Sequence, residues 1–165
     1  MTPTLPELLS RVEAATGPDR EIDALICVAL RDVPDARHYK LGARPNSSAH
    51  TDWRVDLVLD TGVVRSRTPA PYTASIDAAL ALMERALPGW GVEVLTSGRE
   101  GWGAAQVWYG ERRFSEGNGE PCYARTATLA ILAAILTAME APTSSGAGGV
   151  RSPRRVIRRG SKRDG

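Results

Sequence analysis

The stretch from Pro71 to Val94, PYTASIDAALALMERALPGWGVEV, changes its apolar period partway along, and that change decides the fold class. Ile76, Ala79, Leu80, Met83 and Leu87 recur at the three- and four-residue steps that line one face of a helix. Pro88-Gly89 stops the pattern, and Trp90, Val92 and Val94 then alternate with Gly91, Glu93 and Leu95 in the two-residue period of a strand. A helix that turns straight into a strand belongs to a domain that mixes the two.

Downstream, TSGREGWG followed by GAAQVWYG supplies a second strand, so a hairpin is the economical reading. ERRFSEGNGEP is a polar, glycine-bearing loop. YARTATLAILAAILTAME then closes the patterned part as a helix that is apolar nearly all round. Such a helix is either buried on two sides or shares one face with a second chain. A homo-oligomer through the 123–140 helix is therefore expected.

Upstream, WRVDLVLDTGVVRS alternates around Asp60-Thr61-Gly62 and reads as two short strands. Residues 31–52 lose all periodicity and carry Pro34, Gly42, Pro45, Asn46, Ser47 and Ser48, which predicts a long loop. Two helices open the chain. Thr4 with Pro6 and Glu7 has the order of a capping box, and Thr16 with Asp19 repeats that spacing before Ile22, Leu25, Ile26, Ala29 and Leu30. The order predicts an α+β domain over residues 1–141, an α/β/α-type sandwich whose mostly antiparallel sheet of about four strands carries helices on its faces. Residues 142–165 read as a flexible Gly/Ser linker and a basic tail.

The net charge of +2 conceals an asymmetry. Arg151, Arg154, Arg155, Arg158, Arg159, Lys162 and Arg163 fall within the last fifteen residues, leaving 14 basic and 18 acidic residues before them. The body is thus about −4 and the tail, with Asp164, about +6. Cys27 and Cys122 lie far apart with no CxxC spacing, which argues against a disulfide framework or zinc site and favours a reducing, cytoplasmic setting. The first residues lack the apolar core of a secretion signal. The longest uncharged run, Thr126 to Met139, is 14 residues, too short to span a bilayer, so no membrane partner is expected.

YTASIDAAL followed by PGW, the closing TATLAILAAILTAM and the opening ATGPDREIDALI together resemble the phage ABA-sandwich domain family, small proteins of tailed phages and prophages. The resemblance covers residues 5–139 with gaps. It implies helices on both faces of a sheet and brings no settled activity. The chain departs from that pattern where Arg125-Thr126-Ala127-Thr128 stands in place of a proline at the head of the last helix, in the length of the 31–52 segment, and in the basic tail.

Motifs for chemistry are sparse. No G-x-x-x-x-G-K-[ST] or G-x-S-x-G occurs, and the glycine loop around Gly117 and Gly119 carries carboxylates that repel phosphate. His38 and His50 are twelve residues apart with no cysteine nearby, so solvated histidines fit better than metal ligands. Asp52, Asp56 and Asp60 share a strand parity, as a divalent-ion patch would require, yet a hydrated sheet face needs the same residues. No enzyme, cofactor or metal is expected.

Binding candidates remain. Arg65 and Arg67 precede Tyr72 and Thr73 at a helix start, where guanidinium groups, an aromatic ring and free N–H groups suit an anion such as a nucleotide, although Thr73 or Ser75 would equally serve as a cap. Arg99, Trp102, Trp108, Arg112 and Arg113 form a second set, able to stack a base and hold a phosphate, or else to fill an interface and face water. Arg151, Arg154, Arg155, Arg158 and Arg159 suit salt-sensitive, non-specific contact with nucleic-acid phosphates. The functional expectation is a phage or prophage accessory protein that binds without catalysis and sequesters a nucleotide-derived signal of host defence. The alternatives are a nucleic-acid-associated accessory protein using the tail, and a direct inhibitor of a host protein.

Overall fold

The computed structural model describes residues 3–34, 36–62, 64–96, 102–109 and 121–140, with backbone alone at 49–51. Helix α1 (Leu5–Ala14) begins with the expected capping box: the Thr4 side chain accepts from the Glu7 N–H, and the Glu7 carboxylate accepts from the Thr4 N–H at 2.8 Å. Helix α2 (Arg20–Ala29) is capped by Asp19 alone, whose carboxylate accepts from the Glu21 and Ile22 N–H groups, so the Thr16–Asp19 box does not form.

The end of α2 is a Schellman motif. The Asp32 N–H returns to the Cys27 carbonyl at 2.9 Å and the Arg31 N–H to the Val28 carbonyl at 3.2 Å. Arg31 sits at φ 53°, the left-handed position where glycine is usual.

The stretch expected to be a loop folds instead. After a 3₁₀ turn (Ala36–His38), β1 (Lys40–Asn46) pairs antiparallel with β2 (Ala49–Val58), from Lys40 opposite Val58 to Pro45 opposite Trp53. The hairpin at Asp60-Thr61-Gly62 forms as expected, with Gly62 at φ 80°, and β3 (Val64–Arg67) completes the first sheet. Helix α3 (Ile76–Ala86) is capped by Ser75, whose hydroxyl accepts from the Ala78 N–H at 3.2 Å. Strand β4 (Trp90–Thr96) pairs antiparallel with β5 (Gly103–Tyr109), and β6 (Cys122–Ala124) flanks β5 on its other side. Thr126 caps α4 (Ala127–Glu140) by accepting from the Leu129 N–H at 3.1 Å.

The class is α+β, but in place of a single sheet of about four strands the described residues form two three-stranded antiparallel sheets, β1-β2-β3 and β4-β5-β6. Helix α2 packs on the first sheet and α4 on the second, while α1 touches both α2 and α4. One cluster of buried side chains runs through both halves.

Helix α4 is buried without a break from Thr128 to Leu136, between the second sheet on one side and α1 and α3 on the other. Packing is close enough at Gly103 that a Cβ there would lie 2.4 Å from the Ala127 Cα. The all-round apolar pattern thus reflects burial on two sides within one chain over residues 128–136, whereas Tyr123 and Met139 of the 123–140 segment stay exposed. Among the described residues no helix is long and apolar enough to cross a membrane.

Candidate functional site

The two ends of α2 are tied to the turn at residues 71–75 by adjacent side chains. At the N-terminal end, the fully buried Asp23 carboxylate accepts from the Thr73 N–H at 2.7 Å and from Arg20 Nη1 at 2.6 Å. The Thr73 hydroxyl accepts from the Asp19 N–H at 2.8 Å. Arg20 spends its other nitrogens on the Pro69 carbonyl, 2.9 Å away, and on Asp52 at 3.6 Å. Burial raises the Asp23 pKa, and the bonds from Thr73 and Arg20 offset only part of that.

At the C-terminal end, Asp32 is gripped by Arg85 through two parallel hydrogen bonds of 2.7 Å and also accepts the Tyr72 hydroxyl. Burial pushes the Asp32 carboxyl up, but the bonds from Arg85 and Tyr72 outweigh it and its pKa is lowered. Tyr72 is raised by burial and by donating to Asp32. Cys27 donates to the Asp32 carbonyl at 3.4 Å, and burial followed by the Asp32 charge pushes its thiol up to about 11. A thiol so protonated is no nucleophile at neutral pH.

Beside this second junction lies an open cleft of about 560 Å³, lined by Leu30, Arg31, Asp32, Val33, Pro34, Leu82, Arg85 and Ala86. Two guanidinium groups and one carboxylate give its lining a formal charge of +1. Arg31 donates to the Ala36 carbonyl and, at 3.0 Å, to that of Tyr39, which pins the connection between α2 and the 3₁₀ turn.

The structure separates the first set of sequence candidates. Tyr72 and Thr73 are buried and committed to internal hydrogen bonds, so they act as anchors between elements. Arg65 and Arg67 are exposed on β3 opposite the buried Leu57 and Val55, which puts all four on the helix-facing side of the sheet. Arg85 lines the cleft at the C-terminal turn of α2, whereas Arg65 and Arg67 are not among the described residues that line it. Arg31, Asp32 and Arg85 were missed because the partners lie 53 residues apart, and no local spacing announces them. The left-handed backbone of Arg31 leaves no mark in the sequence either, since the position holds no glycine.

In the second set, Trp102 and Trp108 are described, whereas Arg99, Arg112 and Arg113 lie outside the described residues. So do the tail residues Arg151, Arg154, Arg155, Arg158 and Arg159. Asp52, Asp56 and Asp60 each meet a different cation: Arg20 at 3.6 Å, Arg44 at 2.6 Å and Lys40 at 3.6 Å. His38 accepts from Arg37 at 3.1 Å. Among the described residues no group of three His, Cys, Asp or Glu side chains could hold a metal ion.

No protein-family model, curated protein or solved structure matches this chain.

Proposed function

We propose that this protein is a non-enzymatic binder that holds an anionic small molecule of the nucleotide class in the cleft between the end of α2 and α3. The observation that carries this reading is that Arg31 and Arg85 both line a cleft where Asp32 is the only counter-charge among the described residues of the lining. Arg67, from the first set of sequence candidates, lies outside the cleft lining, opposite the buried Val55 on the helix-facing side of β3, where it adds to the positive charge of the first sheet. A non-glycine residue held in the left-handed region adds support, since such strain persists where its surroundings impose it and gathers at ligand sites. Arg65, one register step along β3, extends the positive edge.

The phage setting, the host cytoplasm and the role of sequestering a defence signal rest on the resemblance to the phage ABA-sandwich family. Binding is read as the whole activity because the thiol beside the cleft is held protonated and the Asp32 carboxylate is saturated by Arg85 and Tyr72.

The test is the melting temperature of the full chain against nucleotides, cyclic oligonucleotides and nucleotide sugars. A ligand at a hundred times its dissociation constant stabilises the fold by about 2.7 kcal/mol. One compound should raise the melting temperature, and the rise should vanish in Arg31→Gly and shrink in Arg67→Ala. A shift that survives both substitutions would place the ligand elsewhere.

A further inference from the structure

A second cavity, of about 580 Å³, lies between α1, α2 and the first sheet. Leu25, Ala43 and the half-buried Trp53 supply apolar lining, and Glu7, Arg11 and Glu21 its charges. A smaller hollow of about 270 Å³ shares Arg11 and Glu21 with it and adds Ala14, Asp19 and Ile22. Glu7, Arg11 and Ala14 recur at helical steps of four and three, which sets them along one face of α1 over about 10 Å. The two hollows therefore run on as one groove beside that face. Three carboxylates against one guanidinium give its described lining a formal charge of −2, opposite in sign to the cleft at the C-terminal end of α2.

Each of the three carboxylates commits one oxygen to the fold. Glu7 Oε2 accepts from the Thr4 N–H at 2.8 Å and from its hydroxyl at 3.0 Å. Asp19 Oδ1 accepts from the Glu21 and Ile22 N–H groups at 2.8 and 3.1 Å, and Glu21 Oε1 from Arg11 at 2.8 Å. The second oxygens, Glu7 Oε1, Asp19 Oδ2 and Glu21 Oε2, accept from no described residue. Capping and pairing thus account for half of this acceptor capacity, and the other half is left on residues that line a cavity. The bonds from Thr4 hold the Glu7 carboxyl below its ordinary range, so it carries its charge at neutral pH.

We propose that this groove binds a linear polyamine, with ammonium groups on Glu7, Glu21 and Asp19 and methylene runs over Leu25, Ala43 and Trp53. The inference is independent of the anion cleft. Charge selects a cation, and the lining selects its kind. A compact inorganic cation gains nothing from apolar walls, and among the described residues no three acidic, histidine or cysteine side chains gather closely enough to hold a metal ion. A polyamine strings N–H donors along an aliphatic chain, as the groove strings acceptors along an apolar floor. A cation over the Trp53 ring face gains a further attraction. Arg11 already occupies one of these acceptors, but its pair with Glu21 is 52% and 40% exposed, so little holds it there against a ligand.

The experiment titrates the full chain with spermidine by calorimetry at fixed ionic strength, with magnesium chloride as the compact-cation arm. The expected result is a saturable spermidine isotherm and no magnesium heat. Glu7→Gln, which keeps an acceptor for Thr4, and Glu21→Gln should each weaken spermidine binding roughly twofold to fivefold, with melting temperatures near that of the parent. Trp53→Phe should also weaken it, since a phenyl ring is the poorer partner for a cation. Arg11→Ala removes the internal competitor and should tighten binding roughly twofold to fivefold, which a purely structural Arg11–Glu21 pair would not produce. Arg31→Gly, in the anion cleft, should leave spermidine affinity as it is. No saturable heat, magnesium matching spermidine, or an Arg11→Ala variant that binds no more tightly would overturn the polyamine site.

Discussion

The two ends of α2 use the same parts to different effect. Each sets an aspartate against an arginine and against one of two neighbouring residues, Asp23 with Arg20 and Thr73, Asp32 with Arg85 and Tyr72. Yet the Asp23 pKa is raised and that of Asp32 lowered. Asp23 has no exposed surface, so dehydration prevails over two good bonds, whereas Asp32 keeps some contact with water and accepts on both of its oxygens from the guanidinium fork of Arg85. The sealed junction is a fastening, and the one open to solvent adjoins the cleft. That contrast makes the sealed end a matter of fold and leaves the open end as the place of the proposed binding.

The largest effect should come from the sealed end. Asp23→Ala leaves the Thr73 N–H buried with no acceptor and takes from Arg20, which is only 26% exposed, its shortest carboxylate contact, leaving it the Pro69 carbonyl and the more distant Asp52. Breaking a buried pair from one side costs about 3–5 kcal/mol, and the residual hydration of Arg20 puts the expected loss near the lower figure. Chemical denaturation checks it. A loss below about 1 kcal/mol would mean that the two ends are equally hydrated and the contrast is unfounded.

Tyr72→Phe probes the other end more gently, because Asp32 keeps both bonds from Arg85. One hydrogen bond to a charged acceptor is lost, about 1.5 kcal/mol, with the ring's packing intact. Denaturant midpoints of the variant and parent give the difference.

Acid separates the two aspartates by sign. A carboxylate whose folded pKa is depressed contributes stability above its unfolded value, near 3.8, and loses it as pH falls through the folded pKa. Asp32→Asn should therefore make the loss of stability below about pH 4 shallower. The raised Asp23 acts oppositely: the folded state holds its proton more tightly, so this group opposes stability as pH rises through 3.8 towards the folded pKa. Asp23→Asn should steepen the acid limb. Melting temperatures between about pH 2 and 6 distinguish the cases.

Much of the fold was legible because it is locally encoded. Thr4 and Glu7 predict a cap, Gly62 a turn, and the 76–87 spacing a helix, and each depends on neighbours within a few residues. Strand β1 was not, since Leu41, Ala43 and Pro45 are a sparse apolar set around Gly42 and Arg44 and need β2 to become a strand. The nearly charge-free closing helix was legible as buried, but not by what, because periodicity does not say whether the second cover is the same chain. At the site, Arg67 could be found near Tyr72 in sequence, whereas Asp32 and Arg85, 53 residues apart, meet only once the chain has folded. Tyr72 and Thr73 were read as groups for a ligand because their acceptors, 40 and 50 residues away, leave no local trace.

The smallest expected change in stability is also the sharpest test of the open end. Arg31→Gly removes a side chain from a left-handed position, relieving about 1 kcal/mol of backbone strain. It also removes two hydrogen bonds to the Ala36 and Tyr39 carbonyls and loosens the unfolded chain, terms of similar size and opposite sign. The melting temperature should stay within a few degrees of the parent, and the Schellman bonds, made by backbone alone, should persist. The cleft, however, loses one of its two lining guanidinium groups. If Arg31 served only to hold the 3₁₀ turn, glycine would change stability and leave anion binding as it was. If it is retained in a strained position to meet an anion, the variant should keep its fold and lose its ligand.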